Sequence, residues 1–160
     1  MPHQSIRIIL SGFITLLLAS PTFADGKNNN VSQLINAGFK ETASWQLSTE
    51  GKLELPHNLP KTDGVYAFVM DQTVLYIGVA TENLSKRLYF YSRPGKSQLT
   101  NIRINRLIRD QLEMNGTILI YTASPPDFDW NGLPVDGDAG LELGLIQKLS
   151  PAWNERSKRE

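Results

Sequence analysis

An α+β domain is what this sequence predicts, built on a small three-stranded antiparallel β-sheet flanked by helices. Three observations carry the expectation. Residues 64–70 and 73–78 are two runs rich in β-branched and aromatic residues around the polar break Asp71-Gln72, which reads as a β-hairpin. After Gly78 the apolar period lengthens from that of a strand to that of a helix. Residues 117–121 then read as a third strand between two helical segments, so the core order is β-β-α-α-β-α.

Taken in order, the chain opens with the pattern of a secretory signal. Arg7 closes a short basic segment, residues 8–19 are apolar apart from Ser11, Gly12 and Thr15, and Thr22-Phe23-Ala24 resembles a cleavage site. The apolar run is shorter than the roughly 20 residues a spanning helix needs, so export with cleavage after residue 24 is expected, and no stable membrane association afterwards. Residues 25–58 read as an N-terminal extension. In it, 31–37 is a short helix stopped by Gly38, and Phe39, Trp45, Leu47, Leu53 and Leu55 suggest a strand or two against the main domain. The main domain spans 59–156, with a tail at 157–160. Thr81 or Asn83 caps a helix carrying Leu84, Leu88 and Tyr91, and Arg93-Pro94-Gly95 stops it. A second helix covers about 99–114, with Ile104, Leu107, Ile108 and Leu112 facing inward and Asn115-Gly116 as its stop. Residues 124–137 read as a Pro/Gly/Asp-rich loop, and a last helix covers about 138–149, ahead of Pro151.

Composition excludes whole classes of chemistry. There is no cysteine, hence no disulfide, thiolate nucleophile or Cys-based zinc site, and the two histidines, His3 and His57, argue against a histidine-centred site. The 160 residues carry 16 bases and 16 acids, a balance that says nothing for nucleic acid. Their distribution says more. Lys86, Arg87, Arg93, Lys96, Arg103, Arg106 and Arg109 form a stretch without an acid, and Asp127, Asp129, Asp136, Asp138 and Glu142 form one without a base.

Five features line up with this frame. Tyr66 and Tyr76 lie on the hairpin, each beside a glycine signature; Arg87 and Tyr91 lie one turn apart on a helix; Glu142 sits in an otherwise apolar helix; Asn154 follows Pro151-Ala152-Trp153. Each has an ordinary structural explanation alone: core tyrosines, a solvated arginine, a capping asparagine. Glu142 is the most informative, because an ionised carboxylate on an apolar face needs a partner or a metal. As an ordered set they resemble the GIY-YIG nuclease family. Gly64-Val65-Tyr66 stands for its first signature, with valine for isoleucine, and Tyr76-Ile77-Gly78 is its second unchanged. The lysine many members carry after the second signature is missing, Val79 and Ala80 occupying that region.

That resemblance implies a metal-dependent DNA endonuclease. Glu142 would ligate one divalent metal, Mg²⁺ or Mn²⁺, with water and phosphate oxygens filling the other positions. Arg87 would contact the scissile phosphate through its planar fork, and one of the two hairpin tyrosines would act as base. Tyr91 and Asn154 complete the catalytic set. Lys86, Arg93, Lys96, Arg103, Arg106 and Arg109 are the candidate DNA-binding residues. DNA is the expected partner, no small-molecule cofactor is expected, and the place of action is the periplasm or beyond. A shared site requires Tyr66 and Tyr76 on one face of the sheet. A regular two-residue turn would put them on opposite faces, so the hairpin must contain a bulge or an odd-numbered loop.

Overall fold

A computed structural model describes residues 30–154. The expected signal at 1–24 and the tail at 157–160 lie outside them. The elements are α1 (Val31–Asn36), β1 (Lys40–Ser44), β2 (Gln46–Leu47), β3 (Leu53–Glu54), β4 (Gly64–Met70), β5 (Thr73–Ala80), α2 (Leu84–Ser92), α3 (Leu99–Glu113), β6 (Leu119–Ala123), β7 (Phe128–Trp130), β8 (Leu133–Val135) and α4 (Gly137–Leu149). Among the described residues no helix is long and apolar enough to cross a membrane.

The sheet has four strands where three were expected, in the antiparallel order β1-β6-β4-β5. The added strand is β1, from the segment read as an extension. It pairs with β6, and Thr42 and Thr122 share a hydroxyl hydrogen bond of 2.7 Å across the pair. Its residues alternate too weakly in polarity to announce an edge strand, because none of the five is fully buried. The expected acidic loop also contains structure: β7 and β8 form a hairpin across Asn131-Gly132, both at positive φ.

Period-two alternation sends the sheet's side chains into two cores. Tyr66, Phe68, Tyr76 and Ile120 face α2 and α3, packing with Leu84, Leu88, Tyr91, Ile104 and Ile108. Val65, Ala67, Val69, Val74 and Ile77 face α1 and α4, packing with Leu34 and Leu145. The central strand β4 is therefore buried on both faces and reads as a continuous apolar run.

The hairpin does contain the required irregularity. Asp71 and Gln72, with φ of 48° and 66°, make a two-residue turn with positive φ at both central positions. Val69 pairs with Val74, but Phe68 pairs with Tyr76, so Leu75 is the extra residue of a β-bulge. Asn30 anchors this end of the hairpin, its Oδ1 accepting the Val74 N–H at 2.6 Å.

β5 is a sheet edge, and the C-terminal part of the chain covers it. The outward-facing backbone groups fall on residues 75, 77 and 79. Trp153 N–H donates to the Leu75 carbonyl at 2.8 Å. The Asn154 amide accepts from Ile77 N–H at 2.9 Å and donates to Ile77 C=O at 2.8 Å, imitating a strand partner. The Val79 backbone lies near the Glu142 carboxylate and favours its charged form. This closes an edge that would otherwise be open to strand addition.

Two outcomes follow. Asn154→Ala leaves both Ile77 groups unpaired at a half-buried edge and should lower stability by about 1–3 kcal/mol, read as the urea midpoint. At the start of α4, Asp138 is 8% exposed and its Oδ1 is buried without a partner. Burial, then the charges of Asp63, Asp136 and Asp127, push its carboxyl up from 3.8 to about 6. Its folded pKa exceeds the unfolded one, so its contribution is complete at low pH and is lost as pH rises through that window. Asp138→Asn should therefore melt higher than the parent at pH 7, and the gain should vanish near pH 4.

Candidate active site

Tyr66, Tyr76 and Tyr91 bring their hydroxyls together in the core between β4, β5 and α2. Tyr66 Oη lies 2.7 Å from Tyr91 Oη, and Tyr91 Oη donates to Tyr76 Oη at 3.2 Å. Arg87 Nη2 donates to Tyr91 Oη at 2.7 Å, and Arg87 Nη1 donates to Asn101 Oδ1 at 3.0 Å. A phenol has one proton to give. With Tyr91 donating to Tyr76, the Tyr66 hydroxyl must be the donor to Tyr91. The chain of protons then runs Tyr66 to Tyr91 to Tyr76, and Arg87 fills the remaining acceptor site on Tyr91.

Local sequence explains each placement. The Leu75 bulge turns Tyr76 onto the face of Tyr66 and Phe68. Gly78 pairs with Tyr66 across the hairpin, and a Cβ there would collide with the Tyr66 phenol. Asn83 caps α2, its side chain accepting the Lys86 N–H, and this sets the register that points Arg87 and Tyr91 inward together. The Arg87 guanidinium stacks on the Tyr91 ring, with its carbon 4.4 Å from the centroid. Aromatic contacts with Phe68 close the cluster from below.

The electrostatics separate the tyrosines. Tyr66 and Tyr91 are fully buried, and Tyr76 is 7% exposed. Burial pushes the Tyr66 phenol far above its ordinary value; Arg87 opposes the shift, and Tyr76 and Glu142 add to it. Burial likewise raises Tyr91, reinforced by Tyr66 and Tyr76 and opposed by Arg87. Glu142 is half-buried; burial raises its carboxyl, with the Val79 backbone and Arg87 opposing. Arg87 and Glu142 are thus within electrostatic reach of each other and of Tyr66. Among the described residues, no three His, Cys, Asp or Glu side chains converge to hold a metal ion. A metal here would have Glu142 as its single carboxylate.

The structure gathers Tyr66, Tyr76, Arg87 and Tyr91 in one hydrogen-bonded cluster, with Glu142 at its edge. Asn154 sits beside it on Ile77, both ends of its amide engaged by the strand. The basic residues divide. Lys86 pairs with Glu82 at 2.6 Å, Arg109 pairs with Glu113 at 3.2 Å, and Arg103 donates to the Trp153 carbonyl at 2.9 Å. Arg93, Lys96 and Arg106 are exposed. Acids just outside the basic stretch therefore answer part of its charge.

Asn101 was not foreseen. It is 8% exposed and holds the second arm of Arg87. It lies three residues before Ile104 and seven before Ile108, so the helical period already put it on the buried face of α3. A buried amide there was the available signal. From the same helix Asn105 donates to the Tyr91 carbonyl at 2.7 Å.

No protein-family model matches this sequence, and neither does any curated protein. Solved structures do. A point mutant of bacteriophage T4 EndoII superposes with a TM-score of 0.66 at 19% identity, over 79% of this chain and 99% of that one, which is a likeness of fold. The N-terminal endonuclease domain of UvrC from Thermotoga maritima, bound to magnesium as its catalytic divalent cation, overlaps at 28% identity over 61% of this chain and 88% of that one, with a TM-score of 0.40. The restriction endonuclease HPY188I, in complex with product DNA, overlaps at 14% identity over 85% and 88%, with a TM-score of 0.48. These two superpositions are too loose to argue from.

The site's acid–base behaviour is testable. In an alkaline titration followed by phenolate absorbance, three of the five tyrosines, Tyr66, Tyr91 and Tyr121, should stay protonated beyond the ordinary value of 10.0, and the fully buried Tyr66 and Tyr91 should ionise only as the fold is lost. Their folded pKa values exceed the unfolded ones, so stability should fall as pH rises past 10. Tyr66→Phe should remove one of these late-ionising groups.

Proposed function

We propose that this chain, whose fold is that of the GIY-YIG nucleases, is an endonuclease that hydrolyses DNA phosphodiester bonds. The observation that carries the reading is the wiring of Arg87 to three tyrosine hydroxyls beside Glu142. A structural core has no need of such a network, because phenylalanines would fill the same space without buried polar atoms.

Hydrolysis of a phosphodiester needs a positioned water, a base for its proton, and positive charge on the developing phosphorane. Arg87 supplies the positive charge. Asn101 and the Tyr91 ring fix the plane of its guanidinium, so its fork meets phosphate oxygens without reorganising. Tyr76 is the base. It is the most exposed residue of the three and the last acceptor in the chain, so a phenolate forming there is met by the O–H of Tyr91. Tyr66 and Tyr91, whose phenols burial holds protonated, orient it and relay no charge to solvent.

Glu142 fits a hard cation. It is half-buried, burial raises its pKa, and Arg87 and the Val79 backbone favour its charged form, the form that binds a metal. Mg²⁺ or Mn²⁺ held there would supply charge stabilisation at the scissile phosphate. Arg93, Lys96 and Arg106 are the cations for the flanking phosphates. The pattern of residues 1–24 puts this activity outside the cytoplasm.

The test is plasmid nicking by the purified protein in Mg²⁺ and in EDTA. Cleavage only in Mg²⁺ is expected; none under either condition overturns the reading. Glu142→Gln should lose at least about 100-fold in nicking rate. It should be no less stable at pH 7, since the charged form is the one that burial penalises. Tyr76→Phe should lose about 100-fold or more, and more than Tyr66→Phe. Wild-type nicking by a folded Glu142→Gln variant would remove Glu142 from the mechanism.

A further inference from the structure

We propose that Tyr89 and Phe90 form a stacking platform for unpaired bases, so that the DNA taken by this site is single-stranded or frayed beside the phosphate at Arg87. The inference rests on the nuclease reading and names its substrate class. Lys86, Tyr89 and Phe90 fall at i, i+3 and i+4 on α2, and the C-cap residue Arg93 lies beside the Tyr89 ring, so the four make one stripe. The opposite face, Leu84, Leu88 and Tyr91, is the one buried in the core. The outer stripe thus alternates cation, aromatic, aromatic, cation, and Tyr89 is 41% exposed. The two rings touch edge to face at 6.0 Å, and the Arg93 guanidinium lies 6.0 Å from the Tyr89 centroid.

A cleft flanks this stripe on each side. Phe90 shares one of about 390 Å³ with Arg87, Lys86 and Thr81. Tyr89 and Arg93 share another, of about 670 Å³, with Lys52, His57, Glu50 and Glu54. The path from the Arg87 fork therefore runs over Phe90 and Tyr89, with Lys86 at one end and Arg93 at the other. Glu82 and Glu50 pair with Lys86 and Lys52, but these pairs are solvent-exposed and a phosphate can replace the carboxylate. Bases in a closed duplex stack on each other and present only their edges in the grooves, so they cannot lie on these rings. Unpaired bases can, whatever their sequence, because every base has a π-face. Charge chooses nucleic acid over an apolar peptide as the occupant, since a cation bounds the aromatic pair at each end.

The experiment is a fluorescence-anisotropy titration in EDTA at fixed ionic strength. It compares an oligothymidylate with an abasic deoxyribose-phosphate strand of the same phosphate number, alongside plasmid nicking in Mg²⁺. The wild-type protein should bind the base-bearing strand roughly tenfold or more tighter than the abasic one. Tyr89→Ala should cut that ratio severalfold, and Tyr89→Ala with Phe90→Ala should bring it near one. The salt dependence of abasic-strand binding should stay unchanged, because the phosphate contacts remain. If the double variant fails to fold by circular dichroism, Tyr89→Ala, whose side chain is exposed, decides alone. A wild-type ratio near one, or a ratio unmoved by these substitutions, overturns the platform; a stripe that serves a protein partner gives that result. A wild-type protein that nicks plasmid but shows no base preference sinks only this inference. One that neither nicks nor binds DNA sinks the nuclease reading with it.

Discussion

One extra residue, Leu75, sets the direction of the β5 side chains that face the cluster. In a regular hairpin Tyr76 would lie against α1 and α4, and the cluster of Tyr66 and Tyr91 would lack its third phenol. The bulge turns Tyr76 onto the face of α2, brings Gly78 opposite Tyr66, and leaves residues 75, 77 and 79 facing outward at the sheet edge. The chain then covers that edge with Trp153, Asn154 and Glu142. The same half-turn of backbone that assembles the tyrosines thus also sets the Val79 backbone near Glu142.

Gathering three hydroxyls and a guanidinium in an apolar core is costly unless every donor and acceptor is matched. Here the matching is nearly complete. Tyr91 has both acceptor sites and its proton in use, Arg87 is held at both terminal nitrogens, and Asn101 and Asn105 tie the cluster to α3. The consequence is rigidity without charge neutralisation. Arg87 stacks on a ring and bonds neutral oxygens, so its positive charge is not cancelled by an adjacent carboxylate within the cluster. Preorganised positive charge of this kind is what a developing phosphorane requires.

The segregated charges take on separate duties in three dimensions. Arg103 secures the C-terminal segment through Trp153, Lys86 is answered by Glu82 just ahead of α2, and Arg109 by Glu113 one turn on along α3. The acidic stretch likewise divides. Asp136 caps α4 and Asp127 receives the Gly137 N–H, while Asp138 is buried among them. Glu142 alone of that stretch turns toward the tyrosine cluster.

Much of this molecule was legible in its residues. The hairpin, the three main helices and the inward set of Tyr66, Tyr76, Arg87 and Tyr91 follow from local period, caps and turn chemistry, which act within a few residues of each other. The need for a bulge followed from side-chain parity alone. Its location did not, because Asn30 and Trp153, each far away in the chain, bond the backbone of Val74 and Leu75 where the extra residue falls. The fourth strand was hidden for a similar reason: an edge strand with no fully buried residue carries little pattern, and it exists because β6 offers it hydrogen bonds. Asn101 had the right helical phase, but only packing aims it at Arg87. The sequence by itself determined which residues could share a face. The tertiary structure decided which of them meet, because contacts between residues far apart in the chain depend on the edges and ends that only the folded sheet provides.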